Sequence, residues 1–169
     1  MTFHFTQEAR STIAAKADAV FDFLDDQASL GGHMAKPSAM MLGGSMHYIF
    51  DEGEGRIVGS IIRMDGKMLG LTLALQEEVT EHERPRRKVW QTVGMPHILV
   101  VGAYRMGFEI KADGIRSLLR VFIDYDLPTS RLGHFFGLLF ARPYARWCVS
   151  KMAEDAAMHF RLDHELKTE

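Results

Sequence analysis

Thr129 to Leu162 reads TSRLGHFFGLLFARPYARWCVSKMAEDAAMHFRL. Apolar residues recur in it at helical spacing. Phe135, Phe136, Leu139, Phe140, Pro143 and Trp147 make one stripe, which drifts to Val149, Met152, Ala153, Ala156 and Phe160. The spacing predicts one long helix, and the stripe predicts the face it buries. Pro143 removes an intrahelical hydrogen bond, so a kink is expected there.

Upstream of this helix the period changes from 3.6 to 2. Ile115 to Asp126 places Ile115, Ser117, Leu119, Val121, Ile123 and Tyr125 on one face, with Arg116, Arg120, Asp124 and Asp126 opposite. Leu99 to Ala112 does the same with Val100, Tyr104, Met106, Phe108 and Ile110, and Asp113-Gly114 joins the two as a hairpin. Lys88 to Val93 follows the Arg84-Pro85-Arg86 turn. Before it, Leu69, Leu71, Leu73, Leu75 and Val79 alternate with polar or small residues up to Glu83. Asp65-Gly66 is a second hairpin signal, after a strand over Arg56 to Met64. Gly53-Glu54-Gly55 turns into that strand from one carrying Met40, Leu42, Met46, Tyr48 and Phe50. Phe3 to Ala14 is a half-buried first strand. Between it and the second strand, Asp18 is an N-cap candidate for a helix burying Val20, Phe21 and Leu24, and a short helix from Gln27 to about Leu30 ends at Gly31-Gly32. Seven strands with one apolar face must close on something, and the C-terminal helix is the large apolar partner left.

The 169 residues suit one domain. A net charge of -2 supplies no overall field for nucleic acid or an anionic membrane. The basic run Arg84, Arg86, Arg87 and Lys88 reads as a solvated hairpin tip. One cysteine, Cys148, permits no intrachain disulfide and agrees with a reducing compartment. No signal-peptide pattern and no span of ~18 apolar residues is present, so the expected location is cytoplasmic and no integral membrane association is expected.

This order of elements resembles the helix-grip fold of the START-like (SRPBCC) superfamily, which includes the polyketide cyclase/dehydrase-type family. The resemblance is carried by Ala15 to Leu24 (AKADAVFDFL), by Arg87-Lys88-Val89-Trp90-Gln91, and by Leu138 to Met152 (LLFARPYARWCVSKM). It implies an α+β chain, residues 1–169 as a single domain, in which a curved seven-stranded antiparallel sheet wraps around a long C-terminal helix, with two short helices between strands one and two. It also implies a hydrophobic or amphipathic ligand held between helix and sheet. No catalytic residue set is common to the superfamily, so none carries over and no cofactor is implied.

Other motifs point elsewhere only weakly. Gly53-Glu54-Gly55-Arg56-Ile57-Val58-Gly59 lacks the glycine spacing and the following helix of a dinucleotide loop. There is no His-Glu-x-x-His, and His159 and His164 would not share a helical face, so no metal site is expected. Cys148 beside Trp147 reads as a buried, unreactive thiol. The 11 methionines suit either plain packing or a pliable cavity wall.

The candidate ligand-lining residues are those whose parity points them inward: Met46, Tyr48, Ser60, Trp90, Tyr104, Met106, Phe108, Ser117, Tyr125, and Phe136 and Phe140 from the helix. The Tyr104 hydroxyl is expected to face the cavity with water or ligand as its partner. The leading functional reading is a binding or carrier protein for a hydrophobic or aromatic small molecule, with no nucleic-acid partner, as a monomer or homodimer. The second is a polyketide cyclase/dehydratase-like enzyme moving protons with cavity Tyr, His or Arg. His47, His97 and Arg63 are candidates there if their register turns inward. The third is a protein-interaction module presenting an apolar surface.

Overall fold

In the computed structural model, residues 2–26, 45–68, 71–97 and 100–166 are described. The elements are β1 (Phe5–Ile13), α1 (Ala17–Asp25), β2 (Ser45–Phe50), β3 (Ile61–Met68), β4 (Leu71–Glu83), β5 (Arg87–His97), β6 (Tyr104–Asp113), β7 (Arg116–Tyr125) and α2 (Arg131–Leu166). The strands form one antiparallel sheet in the order β1-β7-β6-β5-β4-β3-β2. Every hairpin neighbour in sequence is a neighbour in space, and β1 returns to pair with β7. The short helix expected from Gln27 lies outside the described residues.

Register follows the alternation. Ser117, Leu119, Val121, Ile123 and Tyr125 of β7 are all buried, and Ile123 stands opposite Met106, Val121 opposite Phe108 and Leu119 opposite Ile110. Across this face lie Val20, Phe21 and Leu24 of α1, and Ala141, Ala145, Val149, Met152 and Ala156 of α2, in one core. Phe21 meets Phe108 edge to face at 5.4 Å. Two irregularities in the β4–β5 pairing, between Ala74 and Gln76 and between Val79 and Glu81, add the local bend and twist that bulges bring.

The outer face carries charge. Arg87 pairs with Glu81 and Glu109, and Arg120 pairs with Glu109 and Glu8. Both guanidiniums lie over the Phe122 ring. Gly107 lets the strands close beneath them: a Cβ there would stand 2.5 Å from the Lys88 carbonyl oxygen and 3.0 Å from the Phe122 ring.

Five expectations need correction. Asp18 is not the N-cap of α1: it lies in the first turn of a helix that begins at Ala17, with Lys16 at the N-cap position. Asp65-Gly66 is not a turn. Both residues sit within β3, opposite Ala74 and Leu73, and the β3–β4 pairing runs on to Met68 opposite Leu71. The strand expected from Arg56 begins only at Ile61, because Asp51 ties 51–60 into a turn: its carboxylate accepts from the Gly53 and Ile61 amides and the Ser60 hydroxyl. The basic run is not a solvated tip throughout. Lys88 is fully buried, and its ammonium donates to the Asp25 carboxylate at 2.6 Å and to the Asp25 carbonyl at 3.1 Å, closing the end of α1. The stripe expected to be buried on α2 is rotated. Phe135, Leu139, Phe140 and Pro143 are exposed, and over that stretch the helix instead buries Gly133, Gly137, Ala141 and Ala145, before the expected stripe is buried at Val149, Met152, Ala153 and Ala156.

Candidate functional site

Along β4 the inward parity runs Leu73, Leu75, Glu77, Val79, and all four are buried. Glu77 therefore places a carboxyl, 4% exposed, on an apolar face. Its donors come from the next two strands. Trp90 of β5, opposite Val79 and so diagonal to Glu77, gives it a side-chain hydrogen bond, and the Tyr104 hydroxyl on β6 donates to Oε1. Tyr104 is held where the β5–β6 ladder runs out. The last paired residues are Gln91 and Arg105, and beyond them Thr92 substitutes its side chain for a ladder bond: the Tyr104 amide donates to Thr92 Oγ1 at 3.1 Å, and that hydroxyl donates back to the Tyr104 carbonyl at 3.3 Å.

The surroundings are a seam between two apolar groups. Met64, Leu73 and Leu75 form a small cluster apart from the main core, and Tyr48, Tyr104 and Tyr144 pack against both. Tyr144 of α2 is hydrogen-bonded to Cys148 one turn on, and its ring tilts against Trp147 at 6.1 Å. The three tyrosines are half-buried.

Burial dominates the ionisation of these groups. It pushes the Glu77 carboxyl from 4.5 to about 7, against the opposing pull of the Tyr104 and Trp90 hydrogen bonds and the Lys88 charge. Tyr48 and Tyr104 are raised by burial and then by the Glu77 charge. Tyr144 is raised first by the neighbouring Cys148 and then by burial, and burial pushes the Cys148 thiol up to about 12. Near neutral pH the three phenols and the thiol keep their protons, and Glu77 is the group of this set that changes charge.

Of the expected lining residues, Tyr48, Trp90 and Tyr104 meet here. The Tyr104 hydroxyl has a protein partner, Glu77, where water or ligand was expected. Phe136 and Phe140 stack at 6.3 Å, about two turns and one turn before Tyr144 on the same flank of α2, Phe136 half-buried and Phe140 exposed. The others serve the fold. Ser60 Oγ donates to Asp51 at 2.5 Å and accepts from the Gly55 amide at 2.8 Å. Ser117 Oγ donates to the Ala15 carbonyl at 2.7 Å, pinning the β1–α1 connection. Met106, Phe108 and Tyr125 are buried in the main core, with Tyr125 stacked on Phe5. The Met46 and His97 side chains lie outside what is described, while His47 and Arg63 are exposed. Glu77 and Tyr144 were missed. The signal for Glu77 was present, since it occupies the inward position between Leu75 and Val79.

Among the described residues no three His, Cys, Asp or Glu side chains converge to hold a metal ion. Among them, too, no helix is long and apolar enough to cross a membrane. A groove of about 420 Å³ lies apart from this site, between β1 and the last turns of α2, bordered by Arg10, Ser11, Glu154 and Arg161.

No protein-family model matches the sequence, and no curated protein matches it. Solved structures do. A Thermus thermophilus protein is 14% identical over 94% of this chain and 99% of its own, with a TM-score of 0.66. The Zhui aromatase/cyclase of Streptomyces sp. R1128 is 14% identical over 90% of this chain and 93% of its own, at 0.60. Norcoclaurine synthase of Thalictrum flavum, in complex with dopamine and hydroxybenzaldehyde, is 15% identical over 95% of this chain and 87% of its own, also at 0.60. At such identities what is shared is the fold alone: this chain has the helix-grip fold that these structures have.

Proposed function

We propose that the chain binds a hydrophobic or aromatic small molecule on the inner face of β2–β6 beneath α2, and that a polar group of the ligand meets Glu77, Tyr104 and Trp90. The observation carrying this reading is a nearly fully buried carboxyl, held by two donors on an apolar wall and ringed by half-buried tyrosines. A carboxyl in such a place opposes folding unless it is paired, so its position suits a task beyond packing. Met64, Leu73 and Leu75 supply the apolar wall, Tyr48 and Tyr144 the sides, and Phe136 and Phe140 the rim. Affinity comes mainly from apolar area leaving water, about 25 cal/mol per Å². The norcoclaurine synthase complex supports an aromatic ligand class, since a protein of the same fold holds two small aromatic molecules.

One observation favours an enzymatic second reading. A carboxyl titrating near 7 can take and return a proton at neutral pH, and the Tyr104 phenol on Oε1 can steady the charged form. The proton-transfer group is then Glu77, in place of the His or Arg first considered.

Native mass spectrometry of chain purified from its own host tests the binding reading, followed by titration of the recovered molecule against tryptophan fluorescence. Trp90 touches Glu77 and Trp147 neighbours Tyr144, so both indoles report on the site. A retained apolar molecule that perturbs the emission, with weaker binding in Glu77→Gln, is the expected result. No retained molecule, together with no response to a panel of aromatic and fatty-acid probes, overturns the reading.

A further inference from the structure

The side of α2 turned away from the sheet is the apolar one. Leu132, Phe135, Leu138 and Leu139 are 66%, 58%, 63% and 55% exposed. An ordinary surface helix has the reverse arrangement, with large apolar residues inward and polar ones outward. Single exposed leucines mean little, but four on one helical face over about two turns form a patch. At 3.6 residues per turn, Arg131, Arg142 and Arg146 fall on that same face, and all three are exposed.

The charge of this face is unbalanced as well. From Leu127 to Ala153 the sequence contains no Asp or Glu. Arg131, Arg142 and Arg146 make no ion pair among the described residues, whereas Arg84 of the β4–β5 turn and Arg87, Arg105 and Arg120 of the sheet each have a carboxylate partner.

We propose that this face of α2 docks on an anionic phospholipid surface, with Leu132, Phe135, Leu138 and Leu139 entering the headgroup boundary and the three arginines meeting lipid phosphates. Exposed bulky side chains interleaved with cations are the chemistry of a helix that lies in a membrane interface. A second copy of the chain fits less well, because helix against helix would oppose arginines to arginines across a dry contact. An acidic protein would satisfy the charges, but the outward side of a helix is convex and gives a protein partner little to fix its register, whereas a fluid bilayer needs no register. The chain's overall charge of -2 does not oppose this, since attraction at a charged surface is local and falls off within a Debye length of ~8 Å. The proposal does not depend on what the Glu77 site binds.

The test is co-sedimentation of the full chain with vesicles of equimolar phosphatidylglycerol and phosphatidylcholine, and with phosphatidylcholine alone. Expected is binding to the mixed vesicles that falls at least tenfold on neutral vesicles or at 500 mM salt. Each arginine near the surface is worth about a fivefold change in partition, so Arg131→Gln/Arg146→Gln lowers binding about 25-fold. Leu138→Gln/Leu139→Gln lowers it tenfold or more. All four positions are exposed, circular dichroism and Tm check that the variants fold, and the salt series needs no variant. Equal binding to neutral vesicles, or variants that bind as well as the parent, overturns the proposal. So does failure to bind vesicles. In that case self-association lost with Leu138→Gln assigns the face to a second copy, and binding of polyglutamate assigns it to an acidic protein.

Discussion

Replacing Glu77 with Gln removes the carboxyl that burial sets against folding, while keeping the shape of the side chain and an oxygen for Tyr104 and Trp90. In the unfolded chain Glu77 ionises near 4.5, and in the folded chain near 7. Below about 4.5 the group is protonated in both states and imposes no penalty. Above about 7 it is ionised in both, and the native state carries the cost of a buried charge. The folded pKa is raised, so this group's share of stability is full at low pH and is lost as pH rises through the window from 4.5 to 7. The loss corresponds to roughly 3 kcal/mol. The Tyr104 and Trp90 donors and the Lys88 charge already act within that figure. Urea denaturation of parent and variant in parallel, at half-unit steps from pH 4.5 to 8, isolates the group, since all other titrations cancel in the difference. Glu77→Gln is expected to gain on the parent steadily across the window, by up to about 3 kcal/mol at pH 8. A difference that stays flat across the window refutes the argument: Glu77 would then be solvated like a surface carboxyl, and the candidate site would lose its titrating group.

Tyr104→Phe is expected to cost about 1–2 kcal/mol, because it takes a donor from a buried acceptor, and to move the Glu77 titration further upward in the same denaturation series. Lys88→Met strands the Asp25 carboxylate and should cost about 3 kcal/mol, while adding Asp25→Leu should restore much of the loss. His82, 3.0 Å from Asp25, stays as a second partner of the carboxylate and limits the first effect. Gly107→Ala should cost about 1–3 kcal/mol by thermal denaturation, because its methyl meets the Lys88 carbonyl and Phe122 with no room for either to move freely.

Most of the fold was legible because its signals are local. Alternation placed β7 and the end of β6 to within a residue, though β6 starts at Tyr104 and not at Leu99, and Asp113-Gly114 marked a true turn. Asp65-Gly66 has the same chemistry and is no turn, because pairing to Leu73 and Ala74 outweighs a dipeptide preference. The site was legible only in part, because inward parity names which face a residue shares and not what it meets. Ser60 and Ser117 are buried, yet each hydroxyl is occupied by a nearby carboxylate or carbonyl, partners that follow from loop geometry. Glu77 shows the opposite failure. Its parity was as clear as that of Leu75, but a charged residue is discounted when an apolar face is being traced. Burying one requires donors from two other strands, Trp90 on β5 and Tyr104 on β6, that no local pattern announces.

The rotation of α2 has a physical cause of its own. A helix that must approach closely buries its small side chains, whatever larger ones it carries. At Gly137 a Cβ would stand 3.0 Å from Pro128 and 3.1 Å from both Leu127 and the Val100 carbonyl, and at Gly133 it would stand 2.7 Å from Ser130 Oγ. Gly133, Gly137, Ala141 and Ala145 follow at intervals of four, which makes a narrow seat for the 127–128 segment and the sheet. With that seat taken by small residues, the large ones are divided between two other directions. Phe136, Phe140, Tyr144 and Trp147 share a second flank, from which Tyr144 packs on the Met64, Leu73 and Leu75 cluster, and Leu132, Phe135, Leu138 and Leu139 turn outward with the arginines. A reading that divides a helix into one apolar and one polar side cannot represent three faces, so it merged the flank and the outward face into a single stripe. Packing distance decides which apolar residues are core, and on α2 it leaves the bulky residues free for contacts outside the core.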